Sequence, residues 1–163
     1  MAPAPPEVVG ALAHILREVL HGPPGSDAWL LNRGDRGLLA SLAQLSASEA
    51  SQTNAAGSSI AAHAEHLRYG LSLMNRWMAG EDGFATADWA AAWRRPRVSD
   101  AEWATLLQDL GEESRQWLAA VAAPARWDDA TIKGIIASTA HLAYHLGAIR
   151  QMSARAAGPR QAL

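Results

Sequence analysis

The chain has 163 residues, 16 acidic against 14 basic side chains, and no cysteine. That length suits one domain with a sizeable core, and the near-balanced charge gives no reason to expect nucleic acid or anionic lipid as a partner. The missing cysteines exclude disulfides, a thiolate nucleophile and cysteine-ligated zinc.

The start, Met-Ala-Pro-Ala-Pro-Pro6, has neither a basic n-region nor an apolar h-region, and no apolar run is long enough to span a membrane. A cytoplasmic protein with no membrane partner is therefore expected. A first helix is predicted from about Glu7 to Leu20, where Val8, Val9, Leu12, Ile15, Leu16 and Val19 form a helical stripe. It stops before Gly22-Pro-Pro-Gly25. A loop with Trp29-Leu-Leu31 leads to one short extra helix near Arg36–Leu45. Ser46 to Glu49 then has the spacing of a capping box and can begin a single turn.

The second main helix is predicted from about Ser58 to Met78, ended by Gly80-Glu-Asp-Gly83. A long connection with Trp89, Trp93 and Pro96 follows; tryptophans of this kind tend to sit at core edges or to line pockets. Ser99 to Glu102 is a second capping box, and starts a third helix that stops near Pro124. The fourth starts near Asp128 or Asp129 and is expected to reach about Ala156. No segment alternates as a strand does, so almost no sheet is expected. Four amphipathic helices imply an all-α four-helix bundle, as a single domain over 1–163. The connection between helices two and three is longer than a tight turn needs, which allows a crossover.

Four of the six histidines fall in two short segments, Ser59-Ile-Ala-Ala-His-Ala-Glu-His-Leu67 and His141-Leu-Ala-Tyr-His145. At about 100° per residue, His141 and His145 lie about 40° apart on the fourth helix, beside Ile135, Leu142, Leu146 and Ile149. His66 borders the apolar stripe of the second helix, and His63 is about 60° away and can also point inward. Neutral imidazole is a ligand for zinc, nickel, copper and iron(II), and three protein ligands leave a coordination position open, as catalytic sites do. A pair at this spacing also arises by chance, as core-edge histidines bonded to neighbouring groups. Position 142 is Leu, so the metalloprotease motif and its glutamate base are absent. The only Glu-x-x-His runs from Glu18 to His21, where the imidazole is better placed to meet the helix C-terminus than a di-iron site. His141 and His145 share one face of one helix and cannot grip opposite sides of a haem.

With those residues in view, the chain resembles the DinB-like (YfiT-like) metalloenzyme superfamily. Ser59-Ile60 through His66-Leu67 is similar to the family's second-helix motif. His141-Leu-Ala-Tyr-His-Leu-Gly-Ala-Ile-Arg-Gln151 is similar to its last-helix motif, and is the more specific match. The resemblance implies an up-down-down-up bundle, frequent homodimers, and a divalent metal held by His66, His141 and His145. It also implies that His66, by its spacing from Ser59, is the ligand rather than His63. Family members include enzymes that use a low-molecular-weight thiol cosubstrate, such as bacillithiol transferases, and members without an assigned reaction.

Other residues enter as candidates with alternatives beside them. Tyr144 and Tyr69 could each present a hydroxyl to a small-molecule substrate, or could be boundary residues between helices. His63 and Glu65 are candidates to orient a ligand's second nitrogen. Arg94 and Arg95 could meet an anion or be solvated, and Arg150 lies nearly opposite His141. Ile132, Ile136, Ala143 and Gly147 form a second stripe on the fourth helix, where a dimer interface would be expected. Two functions follow. One is a zinc- or nickel-dependent enzyme, such as a thiol S-transferase acting on small electrophiles. The other is a non-catalytic, dimeric metal- or ligand-binding stress-response scaffold.

Overall fold

The computed structural model describes residues 4–159. They form seven α-helices: α1 (Pro6–His21), α2 (Gly37–Leu42), α3 (Ala47–Ala50), α4 (Ile60–Met78), α5 (Trp89–Ala92), α6 (Asp100–Ala122) and α7 (Asp129–Met152). A 3₁₀ turn at Ala154–Ala156 follows, and no β-strand occurs among the described residues beyond an isolated bridge between Thr53 and Ser59.

The helix starts follow from their first residues. Ser46 and Ser99 each accept from the backbone N–H three residues on, and Glu49 and Glu102 each reach back to the cap N–H. Both capping boxes are therefore complete, with two orphan donors satisfied at each. Ser59 accepts from Ala62 N–H at 3.1 Å and Asp128 from Thr131 N–H at 2.7 Å. Two features depart from the sequence expectation. α7 ends at Met152 rather than Ala156, because Ser153 is extended (φ −144°, ψ 122°) and its hydroxyl caps the 3₁₀ turn. α5 is a four-residue helix inside the connection; with α2 and with α3, the single turn begun by the Ser46–Glu49 box, the short helices number three rather than one.

Facing pairs give the helix directions. His63 meets His145, His66 meets His141, and Gly134 lies under Trp77, so α4 and α7 run antiparallel. Ala61 and Glu65 share a cleft with Glu102 and Leu106, and Asn75 donates to the Glu113 carbonyl at 3.0 Å, so α4 and α6 run parallel. Arg150 donates to Asp35 at 2.6 Å, beside the end of α1, so the C-terminal ends of α1 and α7 lie together. α1 packs on α6 and α7, and α4 packs on the same two helices.

Leu16, Val19 and Leu20 of α1, Leu67 and Leu71 of α4, Leu110 and Trp117 of α6, and Ile135, Leu142 and Leu146 of α7 fill the shared interior. The buried indoles are satisfied: Trp103 Nε1 donates to the Leu45 carbonyl at 2.8 Å and Trp117 Nε1 to Ser138 Oγ at 3.0 Å. At the end of α1 the chain turns on glycine. Gly22 (φ +87°) and Gly37 (φ +71°) press backbone on backbone, and a Cβ on Gly22 would fall 2.0 Å from the Asp35 carbonyl oxygen. Glu18, fully buried, accepts from the N–H groups of Trp29, Leu30 and Leu31 and so holds that loop to α1.

Candidate metal centre

Antiparallel packing of α4 on α7 sets four imidazoles against one another. His66 Nε2 lies 2.9 Å from His141 Nε2, and His63 Nδ1 lies 2.7 Å from His145 Nδ1. One ring nitrogen from each of His66, His141 and His145 falls within 4.8 Å of the other two. His63, His66 and His145 are 8, 7 and 3 % exposed, whereas His141 opens to solvent.

Burial governs the charge of the group. It lowers the pKa of all four, as the charged form loses solvation. His66 falls to about 4, by burial and then by the nearby His141 and His63; His145 falls to about 3, by burial and then by His141, His63 and His66. The cluster is therefore neutral at pH 7, and each ring keeps one basic nitrogen that can ligate once the ring-to-ring hydrogen bonds give way. Two neutral rings that meet nitrogen to nitrogen must divide donor and acceptor roles. If His145 donates from Nδ1 to His63, its Nε2 keeps a lone pair for a cation, and His63 fixes the tautomer.

The donor set fits a divalent ion. Three neutral imidazoles converge, with one ring nitrogen of each within 4.8 Å of the other two. Zn–N bonds of about 2.0–2.1 Å in a tetrahedron put ligand nitrogens roughly 3.3 Å apart. The His66–His141 pair is a few tenths of an ångström inside that spacing, and all three nitrogens lie within 4.8 Å of one another.

Two chambers flank the cluster. An apolar cavity of about 390 Å³ opens beside His66 and His141, between α4, α7 and the 79–99 connection. A polar groove of about 580 Å³, with Gln52, Thr53, Asn54, Tyr144 and Gln151 on its walls, opens beside His63.

The other candidate residues fall as follows. Tyr144 is 72 % exposed, its ring edge-on to His145 with centroids 5.2 Å apart. The Tyr69 hydroxyl accepts from the Asp88 N–H at 3.0 Å, which ties α4 to the connection. Glu65 faces the α6 side, and its carboxylate takes two hydrogen bonds from Arg68, at 2.7 and 3.0 Å, rather than one from a histidine. Arg94 pairs with Asp88, Arg95 with Glu102, and Arg150 with the buried Asp35. Of the second stripe on α7, Ile136 is 52 % exposed and Gly147 also faces solvent.

Sequence reasoning gave the tryptophans of the connection no role at the histidines. Trp93 stacks on His66 with centroids 4.6 Å apart and meets His63 edge-on at 5.1 Å; Trp89 lies 5.5 Å from His66. The signal available was three bulky aromatics, Phe84, Trp89 and Trp93, in a connection too long for a turn. Compared with protein families, with curated proteins and with solved structures, the chain matches none.

Proposed function

We propose that this chain is a divalent-metal-dependent enzyme of the DinB-like kind, with His66, His141 and His145 holding one zinc or nickel ion. The observation that carries the reading is the convergence of three neutral imidazoles from two antiparallel helices. The parallel α4/α6 pair, the antiparallel α4/α7 pair and the shared ends of α1 and α7 support a four-helix bundle in up-down-down-up order. A divalent ion at this site supplies Lewis acidity to a water or thiol. The protein's own residues do the rest. His63 orients His145, Trp93 excludes water from one face of His66, and the exposed edge of His141 leaves an approach for substrate. The reaction proposed is attack of a low-molecular-weight thiol, as its thiolate, on a small electrophile, the new C–S bond replacing the bond to the leaving group and the thiol proton passing to solvent, in a cytoplasmic homodimer joined through Ile132, Ile136, Ala143 and Gly147 of α7.

Metal analysis and zinc titration of the purified protein test the centre. One ion per chain is expected, with binding lost in His145→Ala. Turnover of a chromogenic electrophile with bacillithiol or glutathione, dependent on the metal, tests the reaction. Stoichiometric metal without turnover favours the second reading, a dimeric metal-binding scaffold of the stress-response kind. One observation points that way: Glu65, the carboxylate nearest in sequence to His66, is engaged by Arg68, so it supplies no general base at the histidines. A chain that runs as a monomer on a sizing column, and is unaffected by Ile136→Glu, would remove the dimer.

A further inference from the structure

The apolar cavity beside His66 and His141 has a composition that selects its occupant. Its walls are Leu67, Leu71, Met74, Phe84, Trp89 and Leu142, and among the described residues no Asp, Glu, Lys or Arg lines it. Of its polar groups, the Ser138 hydroxyl is already used, donating to the Ile135 carbonyl at 3.0 Å and accepting from Trp117 Nε1 at 3.0 Å. That leaves the two imidazoles, both at the end nearest the cluster. A charged ligand entering here would lose its hydration with no countercharge to replace it. The roof is aromatic: Phe84 and Trp89 stack at 29° with centroids 6.3 Å apart, and Trp89 lies over Gly70, where an added Cβ would meet its ring in ordinary contact at 3.6 Å. Met74 adds an adaptable thioether, a side chain suited to varied apolar shapes. The volume falls in the range of small-molecule sites.

We propose that this cavity binds an uncharged, largely aromatic small molecule, with its one polar end directed at His66 and His141. This rests on the metal-centre reading for its chemistry but not for its binding. The cavity then belongs to the electrophile. A thiol carrying several carboxylates, such as bacillithiol or glutathione, finds no basic side chain along these walls, the one cation being whatever the histidines hold at the far end, and fits the cavity less well. The polar groove on the His63 side offers amides and hydroxyls instead.

A matched pair of probes tests this on metal-free protein in excess chelator: naphthalen-2-ylmethanol, which is neutral, and naphthalene-2-carboxylate, which is anionic. Without metal, coordination of the carboxylate cannot mask the preference. By calorimetry the alcohol should bind at least ten-fold more tightly than the carboxylate. Ala137→Trp, at an exposed position on the cavity rim, and Trp89→Ala, which removes the roof, should each weaken the alcohol at least five-fold. Its binding should also shift the methyl resonance of Met74, a readout that needs no variant to fold. Equal or tighter binding of the carboxylate, a Met74 methyl that does not move, or unchanged affinity in Ala137→Trp overturns the proposal. A parallel zinc titration separates the two readings. Zinc binding without the neutral preference removes the cavity assignment alone. The neutral preference without zinc binding removes the metal centre and leaves the cavity.

Discussion

At the scale of single residues, burial of imidazole makes acid the natural stress for this protein. His66 and His145 titrate near 4 and 3 when folded, against an ordinary value of 6.5. Their folded pKa values are lowered, so the unfolded chain binds protons first, and stability falls as pH drops below 6.5 toward the folded values. For one such group the loss between pH 7 and pH 5 is on the order of 2 kcal/mol. Urea midpoints of the metal-free protein should fall over that interval, and the slope should flatten in His145→Gln. A pH-independent midpoint would contradict the buried, neutral state of the cluster. Glu18 makes a separate case. Glu18→Gln would turn an amide NH₂ toward a pocket of N–H donors, and a loss of about 2–4 kcal/mol is expected in chemical denaturation.

At the scale of elements, glycines tell which helix faces are crowded. A Cβ on Gly134 would meet Trp77 at 3.0 Å, whereas one on Gly111 would meet nothing within 4 Å. Gly134→Val should push α7 from α4, lowering the thermal midpoint and zinc affinity together. Gly111→Ala should raise stability by about 0.5–1 kcal/mol through helix propensity alone. The long helices were legible in the sequence from their apolar stripes of helical period, and α6 also from its Ser99-x-x-Glu102 capping box; α1, which follows Pro5 with no side-chain cap, rested on its stripe and Pro-rich lead alone. Less legible was anything that depends on a partner. α5 is one turn long, too short for periodicity to show, and its Asp88 cap is tied down by a hydroxyl from α4. The end of α7 at Met152 reflects the backbone of Ser153, for which no glycine or proline gave warning. At the site, the spacing of His141 and His145 could be read from the chain, but not their distance from His66. That distance is set by how two antiparallel helices pack. For the same reason Glu65 could not be seen to turn toward Arg68 and α6.

For the whole molecule, the candidate centre joins segments 75 residues apart in the chain, His66 and His141. A ligand that binds only the folded form stabilises it by mass action, about 2.7 kcal/mol at a hundred times its Kd. Zinc should therefore raise the thermal midpoint of the native chain, and chelator should reverse the rise. His141→Ala, at an exposed position, should fold normally yet lose most of the zinc response; an undiminished rise would remove His141 from the ligand set. The C-terminal end of α1 imposes a constraint of another sort. Where Gly22 and Gly37 touch, neither position tolerates a side chain, so α1 and α2 cannot drift apart by degrees. They either stay welded or open together, and amide hydrogen exchange should report the two helices as one cooperative block, the N–H of Gly22 sharing its protection with those of α2.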